Sequence, residues 1–137
     1  MNNRIIFSVL LMLSSVCFAQ SDFDRAEHLR MKKDYEEAIK HYYIAFESGS
    51  PEAAHWLGAF YYDGVGVPKN AAVAGAYFYA AANAGVVGSM VYLANMHISG
   101  NGVSKNCKKA EEWIRKFSNG SMPLAWVEQI ADCKEKI

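Results

Sequence analysis

The residues of this chain best suited to chemistry are three cysteines, Cys17, Cys107 and Cys133, and four histidines, His28, His41, His55 and His97. Thiolates pair, attack or bind metal, and imidazoles bind metal or carry protons near neutral pH. Each of these roles needs partners at set spacings, and the chain has no Cys-x-x-Cys, His-Glu-x-x-His, Gly-x-Ser-x-Gly or phosphate-binding P-loop. The histidines are scattered, so no metal site and no cofactor are expected, and His97 reads as a core residue. Gly64-x-Gly66 supplies two glycines of a dinucleotide loop, but it follows a helical pattern and lacks the third glycine. Asn119-Gly120-Ser121 is an N-glycosylation acceptor only in a eukaryotic host. What remains is a disulfide, which depends on the compartment and on the elements that carry the two sulfurs.

A leader decides the compartment. Met1 to Arg4 form a short basic start, Ile5 to Val16 an apolar run, and Cys17-Phe18-Ala19 a small-x-small cleavage site before Gln20. The run is shorter than the roughly 20 apolar residues that span a bilayer. Val16 occupies the place before Cys17 where a lipoprotein signal needs a small residue. Residues 1–19 are therefore expected to be a cleaved secretory signal, with no membrane insertion afterwards. A bacterial periplasm is the expected destination, full secretion the alternative. Cys17 leaves with the leader, and the even pair left in an exported chain favours a bridge.

Over the 137 residues, 14 basic and 14 acidic side chains balance, and 52% of residues are hydrophobic. This is the composition of one ordinary globular domain. It has no cationic surplus to neutralise phosphates, so nucleic acid is excluded as a partner. The skew lies in small residues: 19 alanines, 11 of them between Ala53 and Ala84, and 10 glycines against 3 prolines.

The small residues recur. Leu57-Gly58 and Gly64-Val65-Gly66-Val67-Pro68-Lys69-Asn70 align with Leu93-Ala94 and Gly100-Asn101-Gly102-Val103-Ser104-Lys105-Asn106 at an offset of 36, and the match continues through Ala74 and Ala110, Tyr77 and Trp113. The same offset backwards from Asn70, Ala74, Phe78, Ala81 and Gly85 reaches Asp34, Ala38, Tyr42, Ala45 and Gly49. Each unit reads as two helices. Pro51 opens one, and Ala54, Leu57, Gly58 and Tyr61 make its apolar stripe. Gly64 and Gly66, and likewise Gly100 and Gly102, provide the positive φ of the reversal. Asp34, Asn70 and Asn106 are expected to cap the second helices. A last helix after Pro123 is expected to turn Leu124, Val127, Ile130, Ala131 and Ile137 to one side and to cap the array. Gly120 lies midway between Cys107 and Cys133, and residues equidistant from an antiparallel hairpin's turn face one another. That geometry predicts a Cys107–Cys133 disulfide, stabilising the cap by about 3 kcal/mol on the chain-entropy account.

The pattern Ala54-x-x-Leu57-Gly58-x-x-Tyr61-x-x-Gly64-x-Gly66-Val67-x-x-Asn70 resembles the Sel1-like repeat, a relative of the tetratricopeptide family. The later unit keeps Leu93, Gly100, Gly102, Val103, Asn106, Ala110 and Trp113, with Ala94 and His97 replacing the Gly and Tyr. Upstream, Ala26, Leu29, Asp34, Tyr35, Ala38, Tyr42 and Ala45 resemble a tetratricopeptide helix pair. The resemblance implies an all-α solenoid of antiparallel helix pairs over 20–137, with units 22–50, 51–86 and 87–121 and a cap at 122–137. It implies that first helices line a concave face. On that face Glu27, Arg30, Glu52, His55, Ala59, Tyr62, Asp63, Val91, Asn95 and Ile98 are expected to bind a protein partner, with Tyr62 and Ile98 as an amphipathic anchor. It implies a non-enzymatic envelope adaptor or, as a second reading, an immunity protein that neutralises a secreted toxin. A weak β-lactam-directed activity, linked to some cysteine-rich members, is disfavoured: no serine after the leader has a lysine three residues on, and the members' paired cysteines seven residues apart are missing.

Overall fold

The computed structural model describes residues 20–135, so the expected leader and the last two residues, Ile137 among them, lie outside the described structure. Seven helices follow in order: α1 over 20–31, α2 Tyr35–Glu47, α3 Pro51–Asp63, α4 Ala71–Asn83, α5 Val87–Ser99, α6 Cys107–Phe117 and α7 Leu124–Glu135. No strand occurs among the described residues, and none of the helices there is long and apolar enough to cross a membrane.

Local chemistry sets the boundaries. The Ser50 hydroxyl accepts from the Ala53 amide at 3.2 Å, directly before Pro51, whose missing N–H costs nothing at a helix start. The Asn70 and Asn106 side chains accept from Val73 and Lys109 N–H at 3.1 and 2.9 Å. Gly64 and Gly100 end α3 and α5 in the left-handed region, at φ 75° and 76°. Asp34 departs from expectation: it stands at the N-cap position but makes no side-chain cap bond. Its backbone, at φ −83° and ψ 73°, falls short of the extended geometry that aims Asn70 and Asn106 at their amides. Lys33, at φ 64°, makes the reversal that later units assign to glycine.

The helices form two layers. Arg30 reaches Trp56, and His55 reaches Ser89, which joins α1, α3 and α5 laterally. Phe46 meets Tyr77, and Tyr79 meets Trp113, which joins α2, α4 and α6. The core runs between the layers in three clusters, centred on Tyr42 and Leu57, on Phe78 and Leu93, and on Ala94 and Ile114. Burying side chains such as Leu57, Phe78 or Leu93 contributes about 1.5–3 kcal/mol each. Alanine explains how the backbones approach: Ala38, Ala74 and Ala110, one per second helix, are wholly buried. Gly58 goes further, since a Cβ there would meet the Phe78 ring at 2.7 Å. His97 is buried, its ring bonded to the Tyr79 hydroxyl and to the Ser104 backbone carbonyl.

Cys107, the first residue of α6, is disulfide-bonded to Cys133 near the end of α7, with Cα atoms 5.8 Å apart. Across the same hairpin Lys134 pairs with Glu111 at 2.9 Å. The buried face of α7 differs from the expected one. Ile130 and Cys133 are buried and Trp126 is partly so, whereas Leu124 is 88% exposed and Val127 and Ala131 also face outward. The bridge draws the Cys133 side of the helix inward, and Val127 and Ala131 are left at the edge of a shallow depression beside Glu111, Arg115 and Met122.

Candidate functional site

The residues expected to bind a partner lie in the first-helix layer, with α3 at its centre, and most of them are partly buried. Glu52 is exposed in the first turn of α3 and Asn95 on α5, while Val91 and Ile98 are partly buried. Tyr62 packs edge-on against Tyr92 at 5.5 Å, with Lys69 Nζ 6.0 Å from its ring centroid. Tyr62 packs with the cluster around Phe78 and Ile98 with the cluster around Ile114, so the two are seated against different parts of the core. Each serves a contact between successive helix pairs.

His55 has a similar place. Its Nδ1 lies 2.8 Å from the Ser89 hydroxyl, and its ring stands among Trp56, Phe78 and Tyr92. Burial holds this imidazole below its ordinary titration range, favouring the neutral form. A histidine beside a serine is the start of a nucleophilic pair. Here, however, Ser89 is wholly buried, so its oxygen is closed to a substrate, and the hydrogen bond ties α3 to α5.

Two expected residues on α1 form a compact polar unit. Arg30 pairs with Glu27, Nη2 to Oε2 at 2.6 Å and Nε to Oε1 at 3.3 Å, and the Tyr42 hydroxyl donates to the same Oε1. Burial pushes the Glu27 carboxyl up, but the Arg30 and Tyr42 hydrogen bonds outweigh it and leave the group below its usual range. Burial, then the Glu27 hydrogen bond, push the Tyr42 phenol far up. The Arg30 guanidinium lies over Trp56, 4.1 Å from the ring centroid.

A depression of about 190 Å³ opens beside this unit, lined by Arg30, Tyr35, Trp56, Ala59, Phe60, Asp63 and Val65. Of the residues expected to bind a partner, Arg30, Ala59 and Asp63 line it, while Glu52, His55 and Tyr62 do not. Trp56, Phe60, Tyr35 and Val65 are the residues that sequence reasoning missed. The signal was present, because Trp56, Ala59, Phe60 and Asp63 are spaced i, i+3, i+4 and i+7, a single helical stripe.

Comparison with known proteins follows the same repeats. The sequence profile described as the Sel1 repeat matches residues 27–50, 51–86 and 87–121. A Sel1 repeat protein from Oxalobacter formigenes superposes with a TM-score of 0.70 at 26% identity, over 76% of this chain and 44% of that one. A protective antigen present in uropathogenic Escherichia coli strains, displaying an SLR fold, gives 0.71 at 23% identity, over 76% and 23% of the two chains. Helicobacter pylori cysteine rich protein B gives 0.64 at 18% identity, over 92% and 94%. The chain therefore spans less than half the length of the first of these and about a quarter of the second, and the likeness to the latter two concerns the fold.

Proposed function

From the premise that the chain belongs to the Sel1 repeat family, whose repeats are protein-interaction modules, we propose that it is an exported, non-enzymatic adaptor of the bacterial envelope that holds one protein partner on the first-helix face. The observation that carries this reading is the depression between α1, α2 and α3, where Trp56 and Tyr35 remain partly exposed beside Arg30 and Asp63. Aromatic and arginine side chains next to a recess are the groups enriched at binding hot spots. The disulfide between α6 and α7 supports an oxidising compartment. The wholly buried oxygen of Ser89 supports a binding role over nucleophilic catalysis.

Two measurements test the reading. Fractionation of cells producing the tagged full chain is expected to find a processed form in the periplasm; an unprocessed cytoplasmic form would overturn export. Capture from envelope extract by residues 20–137 is expected to recover a partner in stoichiometric amount and to lose it with Ala59→Arg, which fills the depression. Unchanged recovery by that variant would show that the partner uses another face.

A further inference from the structure

We propose that the depression between α1, α2 and α3 receives a single basic side chain, lysine or arginine, of the bound protein, with Asp63 as its counter-ion; this rests on the reading of the first-helix face as the binding face. The walls suit such a side chain in two zones. Trp56, Ala59, Phe60 and Val65 offer apolar surface to a methylene stem, and Asp63 stands exposed at the wall to meet a cationic tip.

The charge balance of the depression selects the sign. Arg30 also lines it, but its guanidinium is compensated: Glu27 holds two of its nitrogens, Tyr42 fixes Glu27 in turn, and the plane lies against Trp56. Asp63 makes no ion pair or hydrogen bond among the described residues. Of the two charged residues that line the recess, Asp63 is therefore the one without a partner, Lys69 nearby being turned over the Tyr62 ring, and a partner cation is favoured there over a carboxylate.

Asp63 is not explained by the fold. It is the last residue of α3, where the helix dipole disfavours an anion. The equivalent position of the next repeat holds Ser99, whose hydroxyl is tied back to the Asn95 carbonyl at 2.9 Å. The repeat architecture thus accepts a small neutral residue here, and the carboxylate is particular to the unit whose surface forms the depression.

The test is selection of a random peptide display library on immobilised residues 20–137, followed by affinity measurements on the enriched peptides. Peptides lost on Ala59→Arg are those that use this face. They are expected to share one Lys or Arg, and replacing it with norleucine is expected to weaken binding by about tenfold. In Asp63→Asn the basic and norleucine peptides should bind within about twofold of each other, while Asp63→Glu should restore the preference. Peptides that use the face without a basic residue, or a basic preference that persists in Asp63→Asn, would overturn the inference and leave the binding face standing. A library yielding no peptide sensitive to Ala59→Arg would overturn both. Thermal midpoints of the Asp63 variants no lower than the parent's establish that the fold is intact.

Discussion

Gly102 lies so close to Ala71 that a Cβ placed on it would sit 2.3 Å from the Ala71 carbonyl oxygen; Gly66, 36 residues earlier, stands in the same relation to Tyr35, at 2.7 Å from its Cβ. Ala71 and Tyr35 are the first residues of α4 and α2. Each Gly-x-Gly loop therefore seats its second glycine on the start of the previous pair's second helix, and repeat stacks on repeat through bare backbone.

Gly102→Ala is accordingly expected to destabilise the chain by at least about 2 kcal/mol, combining a side chain at positive φ with overpacking. Gly49→Ala and Gly120→Ala also sit at positive φ, but nothing lies within 4 Å of the added carbon. They should cost only about 1 kcal/mol. Urea unfolding of the three variants gives the comparison, and equal losses would contradict a role in stacking.

Reduction of the Cys107–Cys133 bridge, which spans 26 positions, is expected to lower stability by about 3 kcal/mol. Hydrogen exchange should speed up most in α6 and α7, where the constraint acts. Cys107→Ala with Cys133→Ala should reproduce the reduced protein, and a melting curve insensitive to reductant would refute the constraint.

Tyr42→Phe removes a buried hydroxyl's hydrogen bond to the Glu27 carboxylate and should cost about 1.5–3 kcal/mol at neutral pH. The pH dependence follows from Glu27, whose carboxyl is held below its ordinary 4.5 in the fold against the upward push of burial. A depressed carboxyl contributes stability above its unfolded pKa and loses it as pH falls through the folded value. The gap between Tyr42→Phe and the parent should therefore narrow on acidification below about pH 4.5. Chemical unfolding at pH 7 and across the acid range measures it, and a gap that stays constant would assign the cost to packing.

Ile130→Ala should cost about 2–5 kcal/mol, since Ile130 is 5% exposed, whereas Leu124→Ala should stay within about 0.5 kcal/mol. A loss at Leu124→Ala comparable with that at Ile130→Ala would restore the face of α7 expected from sequence, on which both residues were placed.

Much of the architecture was legible because it is local in the chain. The offset of 36, the Gly-x-Gly loops, the Asn70 and Asn106 caps and the symmetry of Cys107 and Cys133 about Gly120 are spacings along one sequence, and helical geometry converts spacing into position. Asp34 shows where this ends: the residue type suits a cap, but a backbone angle set by the turn at Lys33 withholds the bond.

What only the tertiary structure decided is how each helix is rotated about its axis. Neighbouring residues of a helix point about 100° apart, and α3 is apolar around most of its circumference, so the sequence permits either His55 or Trp56 to face outward. Ser89 of α5 engages His55 in the seam between helices and leaves Trp56, with Asp63 on the same stripe, to line the depression. In α7 the bond to Cys107 makes the same choice between two apolar sides. Sequence determined the helices, their pairing and their repeat; the side chains of neighbouring helices, distant in sequence, determined which face each one shows.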